Sequence, residues 1–399
     1  MSKIRQVPFF KPCIGEQEER AVIDVLRSGW LTTGPKVSEF EARFAEYTGA
    51  KHAIALSSCT AAQHLALELL EIDSEDEIIT TPFTFSSTAS EILHSGGKVR
   101  FVDVLPESGN IDPSLVEEAI NENTRAVIPV HFAGMPCDMD SLLGIASVYG
   151  LKVIEDAAHA LEAKYKNRKI GSLGDCTCFS FYVTKNITTA EGGMLTCDDD
   201  EFARKARVLS LHGMSKDAWK RYLPADKRSS ASHYYQILHR GFKYNMSDIQ
   251  AALGVEQLAS AETFWLKRDK AVKKYREDLS DISEIELFEE NKDSKNARHL
   301  MVIKLNLDFL TIDRDRFMEE LRKLGIGCSI HFISLHLHPF YRDKYRFSES
   351  DFPVSADLSR RVITLPLFAD ISVDDIDHVV NSIKDIIRKN KTATLVSIK

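Results

Sequence analysis

The stretch FSFYVTKNITTAEGG, residues 179–193, runs from an apolar strand through a lysine into a small, polar segment ending on two glycines. An amine is a nucleophile only when neutral, and a lysine at the end of a strand packed in a sheet loses the hydration that keeps it charged. Lys185 is therefore the candidate for a Schiff-base lysine. Most lysines sit in water, so an isolated one would be read as a solvated loop residue. What argues otherwise is VIEDAAHA, residues 153–160, a hydrophobic run that ends in two carboxylates and a histidine.

A lysine and an acid of this kind are the two parts that pyridoxal phosphate (PLP) chemistry needs. The lysine carries the cofactor, and an aspartate opposite keeps the pyridine nitrogen protonated so that the ring accepts electrons. Asp156 fits because it follows Val153 and Ile154 at the carboxyl end of an expected parallel strand, where open α/β sheets place ligands. Glu155 points to the other face, by the strand period of two. Taken alone, Asp156 reads equally well as a salt-bridged structural acid.

The 399 residues, 44% hydrophobic and 28% charged, suit one large domain with a smaller one, or two to three domains. A net charge of -8 gives no global basic character that would indicate nucleic acid or an anionic membrane. No apolar run approaches the roughly 18 residues of a membrane span. The opening MSKIRQVPFF lacks a signal-peptide core, and a cytoplasmic protein is expected. Seven scattered cysteines show no paired metal spacing, and their odd number argues against a closed disulfide framework. Cys176 and Cys178 share a strand face and are read as packing.

Between residues 50 and 197, short apolar runs alternate with helical patterns. The runs cover 52–56, 77–81, 99–104, 126–132, 152–157, 177–182 and 194–197. In TAAQHLALELL, Ala62, Leu65, Ala66 and Leu69 recur at the spacing of a helix face. Such alternation predicts an α/β domain whose mostly parallel, seven-stranded sheet has helices on both sides. It is assigned residues 1–255, including the N-terminal segment. Residues 256–399 read as a smaller C-terminal α+β domain: a helix over 259–278, strands over 299–305 and 328–332, a helix stopped by Gly325, and a closing helix with Ile376, Val379, Val380, Ile383 and Ile387 on its core face. Residues 214–240 are polar, basic and aromatic, and read either as an active-site flap or as a solvated loop.

Phosphate binding calls for free N–H groups and hydroxyls at a helix start, which Ser58, Cys59 and Thr60 in SSCTAA supply. An ordinary Ser/Thr helix cap explains the same residues. Ser180 could add a hydroxyl from the neighbouring strand. Phe85, in TPFTFSST, is placed to stack on a pyridine ring. Thr32 and Thr33, in WLTTGP, are either sugar-hydroxyl contacts or a turn. His331, His336 and His338 have no cysteine or carboxylate spacing of a known metal site, and no metal is expected.

Nine blocks in order carry a resemblance: residues 9–37, LSSCTAAQHLAL, ITTPFTFSSTA, PVHFAGMPCDMD, VIEDAAHALEA, FSFYVTKNITTAEGGM, FKYNMSDIQAALG, GIGCSIHF and TLPLF. Together they resemble the DegT/DnrJ/EryC1/StrS family of PLP-dependent nucleotide-sugar aminotransferases, over residues 8–385. The resemblance implies PLP fold type I and a homodimer. It implies Lys185 as the Schiff-base lysine and Asp156 as the pyridinium partner. His159 falls beside the cofactor's ring hydroxyl. Ser58, Cys59, Thr60 and Ser180 match phosphate contacts, and Asn245 in FKYN matches a residue reaching the phosphate from the other subunit. Phe85 stands where some members have tryptophan, and Cys59 where glycine or alanine is common. Members with histidine in place of the lysine carry out dehydration; this chain keeps Lys185.

The implied reaction moves an amino group from L-glutamate to a keto group of a nucleotide-linked sugar, with PLP and pyridoxamine phosphate alternating. EDAAHA, KNIT, AEGG and FKYN are most similar to members acting at the 4-position of UDP-sugars, including the 4-amino-4-deoxy-arabinose type, which make amino sugars for surface polysaccharide or lipopolysaccharide. Lys216, Lys220, Arg221, Lys227, Arg228 and Arg240 are candidates to meet a diphosphate, and His331 to touch the sugar. Three alternatives stay open: a sugar-nucleotide 3-aminotransferase, a PLP lyase or dehydratase, and a regulatory homologue that binds PLP without turnover.

Overall fold

The computed structural model describes residues 5–215 and 235–392. Lys216, Lys220, Arg221, Lys227 and Arg228 lie outside the described residues.

The chain opens with two helices framed by glycine. In α1 (Glu16–Ser28) the Glu18 carboxylate accepts from the Gly15 N–H at 2.9 Å, and Gly29 closes the helix at φ 72°. Helix α2 (Pro35–Thr48) starts on proline and ends at Gly49. A βα alternation follows: β1 (His52–Leu56), α3 (Cys59–Leu69), β2 (Glu77–Thr80), α4 (Ser86–His94), β3 (Lys98–Phe101), α5 (Pro113–Ala119), β4 (Thr124–Ile128), α6 (Met139–Tyr149) and β5 (Lys152–Asp156). Two short strands, β6 (Lys164–Tyr165) and β7 (Arg168–Lys169), form a hairpin. Then come β8 (Cys176–Ser180), β9 (Gly193–Cys197) and α7 (Asp200–Leu209).

The main sheet has the order β1-β9-β8-β5-β4-β2-β3. Only β9 runs against the others, pairing antiparallel with both β1 and β8. Alternate residues feed opposite faces: Val153 enters one core with Phe40, Phe44 and Phe181, and Ile154 enters the other with Leu56, Leu65 and Ile78. The expected mostly parallel, seven-stranded α/β sheet is therefore present, in the arrangement of PLP fold type I. Five of its strands end before the expected apolar runs do, β1 matches its run, and β9 starts one residue earlier than its own. The chain leaves β4 at Ile128 to pass Val130 beside Asp156, and β8 stops at Ser180 rather than Tyr182.

Helix α8 (Asp248–Leu279) is capped by Ser247 and Gln250 and runs between two hydrophobic cores. Its first half packs Ala251, Val255 and Leu258 into the core that holds Phe40 and Val153, and its second half packs Val272, Tyr275 and Leu279 into another. A division at residue 255 thus falls within a continuous helix. Val7 also belongs to the second core, bridging to Ile326.

That second core lies between helices and a sheet of β10 (Ile285–Leu287), β12 (Met301–Leu305) and β13 (Val362–Leu365), while β11 (Ser294–Lys295) joins the β6–β7 hairpin. The helices against that core are α8, α9 (Arg314–Lys323) and α12 (Val373–Asn390), whereas α10 (Pro339–Tyr345) packs Tyr341 into the core of Leu65 and Ile78, and α11 (Pro353–Arg361) packs Leu358 into a cluster with Phe83 and Phe132. The strand expected over 328–332 is reduced to one bridge between Ser329 and Thr364; β10 and β13 take up the ladder beside β12. Among the described residues, no helix is long and apolar enough to cross a membrane.

Candidate active site

The direction of each strand decides where the site forms. β1, β2, β4, β5 and β8 share one direction, so their carboxyl ends lie on one edge of the sheet. β9 is reversed, which brings its amino end, Gly193, to that same edge. Together these ends line a cavity of about 390 Å³. The turn after β1 contributes Ser58, Cys59 and Thr60; the turn after β2, Phe85; the end of β5, Asp156 and His159; and the end of β8, Ser180 and Lys185. His331 closes the wall from the segment after α9.

Asp156 is buried, and its carboxylate is held by three donors. Oδ2 accepts from Gln63 Nε2 at 2.6 Å and from Thr88 Oγ1 at 2.8 Å, and Oδ1 accepts from the Ala158 N–H at 3.1 Å. Neither Gln63 nor Thr88 stands out in the sequence pattern. Glu155, on the opposite face, accepts from Gly174 N and Thr177 Oγ1 and pairs with His131 away from the cavity.

Burial brings the Lys185 amine down to about 8, against the pull of Asp156 and Cys59 in the other direction. A neutral amine is therefore accessible near neutral pH. Burial, reinforced by Lys185 and two further histidines, drives His159 well below the usual imidazole range. Its Nδ1 is buried without a hydrogen-bond partner among the described residues. The ring stacks on Phe332 at 5.9 Å and packs on His299 at 4.4 Å. His299, absent from the sequence reading, is likewise held neutral by burial. His331 is lowered to about 4 by burial and then by Lys185, and its Nδ1 lies 2.9 Å from Thr364 Oγ1.

At the start of α3, Ser58 accepts from Ala61 N, so the cap reading and the open helix start hold together. Cys59 Sγ donates to the Cys178 carbonyl, and burial, then Asp156, raises its pKa well above the usual thiol range. Phe85 stands at the cavity rim, 64% exposed.

Other candidates lie elsewhere. Asn245 Nδ2 donates to Thr33 Oγ1 at 2.7 Å, Thr33 Oγ1 donates to the Met246 carbonyl, and Thr32 O accepts from Asp248 N. None of the three lines the cavity of its own chain. Arg240 is exposed and pairs with Glu68 at 3.7 Å. His336 is buried against Ser334, while His338 Nε2 reaches the Ile333 carbonyl. Among the described residues, no group of three or more His, Cys, Asp or Glu could hold a metal.

The chain is 49% identical over 385 residues to the uncharacterized protein MJ1066 of Methanocaldococcus jannaschii, covering 96% of this chain and 98% of that one. It is 45% identical over 383 residues to the spore coat polysaccharide biosynthesis protein SpsC of Bacillus subtilis, covering 96% and 97%. Streptococcus pneumoniae Spr1654, assigned as a sugar aminotransferase, superposes in its PMP-form with a TM-score of 0.89 at 32% identity, covering 96% of this chain and 100% of that one. Spr1654 is also known in a PLP-form. The DegT/DnrJ/EryC1/StrS aminotransferase profile matches residues 12–384, and with the lysine, the aspartate and the open helix start in one cavity, the chain belongs to that family.

Proposed function

We propose that this protein transfers the amino group of L-glutamate to the 4-keto group of a nucleotide-linked sugar, with UDP as the nucleotide, for surface polysaccharide synthesis. It is a PLP-dependent aminotransferase; donor, nucleotide and position are the proposed parts. The observation that carries the reading is that Lys185 and Asp156 line one cavity with the N-terminus of α3. The likeness to SpsC supports the polysaccharide role, and the EDAAHA, KNIT and FKYN blocks support the 4-position of a UDP-sugar.

The residues present fit PLP. Gly193 leaves room for the start of α3 where a Cβ would collide, His159 Nδ1 is a buried atom with no hydrogen-bond partner among the described residues, and the Asp156 carboxylate lines the same cavity. The first-turn N–H groups of α3, with the hydroxyls of Ser58, Thr60 and Ser180, would hold the phosphate. His159 would meet the ring hydroxyl, and Phe85 would cover one ring face. Bound there, PLP supplies an electron sink and carries the amino group between substrates.

Asp156 would then hold a proton on the ring nitrogen. Lys185 Nζ, neutral for part of the time, takes a proton from the donor's α-carbon and in the second half gives one to the sugar carbon. Ping-pong kinetics follow. His331, neutral at physiological pH, can accept from a sugar hydroxyl.

The dimer completes the proposal. Asn245 lies outside its own cavity, and Phe85 and Tyr182 leave aromatic surface exposed at the cavity mouth, 64% and 45% respectively, where a second subunit would cover it. The seven cysteines are all free thiols, which suits a cytoplasmic setting.

The test is to add glutamate to the PLP-loaded protein and follow the visible band, then to offer keto-sugar nucleotides and weigh the products. Loss of the band with formation of 2-oxoglutarate, followed by a 4-amino UDP-sugar, is expected. A band unmoved by glutamate would indicate a regulator, ammonia or water release without a keto acid a lyase, and amination at another carbon the 3-amino reading.

A further inference from the structure

Behind the cavity wall, the carboxylate of Asp156 is engaged from one side. An ionised carboxylate offers about four acceptor positions, two on each oxygen. Gln63 Nε2 at 2.6 Å and Thr88 Oγ1 at 2.8 Å occupy Oδ2, and Ala158 N at 3.1 Å takes one position on Oδ1. One position on Oδ1 is left.

Gln63 is only 1% exposed and sits one helical turn after Cys59 on α3, outside the set of side chains that line the cavity. Its Oε1 is buried with no hydrogen-bond partner among the described residues. An unsatisfied buried acceptor is disfavoured. Rotating the amide would remove nothing, because it would set Oε1 against the anionic Oδ2, acceptor against acceptor. The amide therefore makes its polar contact with Asp156 alone, and it does not tie α3 to any other element.

We infer that Gln63 is a positioning residue: with Thr88 it fixes the Asp156 carboxylate so that the open side of Oδ1 faces the ring nitrogen of the bound cofactor. This rests on the assignment of Asp156 as the pyridinium partner. Without the Gln63 donor, the carboxylate turns more freely and its charge is less dispersed, so it draws the ring proton further toward Oδ1.

The experiment uses Gln63→Leu, Thr88→Val and Asp156→Asn, each reconstituted with PLP carrying an isotope-labelled ring nitrogen. Three quantities are read: the ring-nitrogen NMR resonance, the single-turnover rate with glutamate, and the melting temperature of the apoprotein. In Gln63→Leu the resonance should move away from its wild-type position toward that of neutral pyridine, and the glutamate step should slow about tenfold, the effect of one hydrogen bond to a charged group. In the apoprotein two changes oppose each other, loss of the unpaired Oε1 and loss of a donor to the buried carboxylate, so the melting temperature serves as a check on folding and the resonance decides. Thr88→Val, acting on the same oxygen, should shift the resonance the same way, which keeps the test open if the leucine variant does not fold. A resonance unmoved in both variants overturns the inference, including the case in which Gln63→Leu merely melts lower. If Asp156→Asn also leaves the resonance in place, the pyridinium assignment itself fails.

Discussion

Gly193 lies so close to the Ser58–Cys59 peptide that a Cβ on it would fall 2.3 Å from the Ser58 carbonyl carbon and 2.5 Å from the Cys59 nitrogen. The obstacle is backbone, so no side chain can swing aside. Gly193→Ala should push β9 off the start of α3, costing about 1–3 kcal/mol of stability as overpacking does, and weaken PLP binding about tenfold or more by disturbing the phosphate cradle. Urea unfolding of the apoprotein and a PLP titration measure both. Wild-type values in the alanine variant would show that the close approach is unimportant.

Lys185 gives a pH dependence whose sign follows from burial. The folded apoprotein releases this proton near pH 8, whereas the unfolded chain keeps it to about 10.5. Between those values the unfolded state binds more protons, so the Lys185 contribution makes stability rise with pH across that window. Below it both states are charged, and the fold bears the full cost of a buried ammonium. Lys185→Met should remove the slope and abolish transamination. Unfolding curves at several pH values, compared between the two proteins, read the difference; parallel curves would contradict a depressed amine.

The sequence shows the reacting groups more plainly than the groups that hold them. Lys185 and Asp156 are legible because each follows an apolar strand, Asp156 as the last residue of β5 and Lys185 five residues beyond the end of β8, where solvation or charge has to be explained. Gln63 and Thr88 meet Asp156 from 93 and 68 residues away, and no local spacing encodes such contacts. A signal for Gln63 did exist: it is an amide one turn after Cys59 in a helix buried on nearly every side. The start of α8 was also readable, in the Ser247–Gln250 capping box. The 328–332 run misleads because apolar character alone cannot tell a strand from an extended segment with a single bridge.

Arg268 and Glu162 form a buried pair at 2.6 Å, both almost sealed from solvent. Glu162 also accepts from Asn186, the neighbour of Lys185, and Arg268 Nε donates to the Arg298 carbonyl. Removing one member leaves the other charged and unpaired in the core. Arg268→Met alone should therefore cost about 3–5 kcal/mol, and the double change Arg268→Met with Glu162→Leu should recover much of it. A denaturant-based double-mutant cycle gives the coupling, and additive losses would mean that the pair is not coupled.

Ala190 adopts φ 66°, in the left-handed region that disfavours a Cβ. Ala190→Gly relieves that strain, while glycine adds entropy to the unfolded chain. The relief is the larger effect for a residue held firmly in that conformation, so a gain of up to about 1 kcal/mol is expected. The urea midpoint should rise with the slope unchanged, and a fall would place the constraint elsewhere.

Asn245 donates to Thr33 within its own chain and stays outside its own cavity, which makes the shared-site proposal separable from a local role. Lys185→Ala and Asn245→Ala homodimers should each be poorly active. In a mixed dimer, one of the two sites combines the intact lysine of one chain with the intact asparagine of the other. Random mixing by refolding makes half of the dimers mixed, so activity should return to about a quarter of wild type. An asparagine that served only its own chain would leave every site lacking one of the two residues, and mixing would restore nothing.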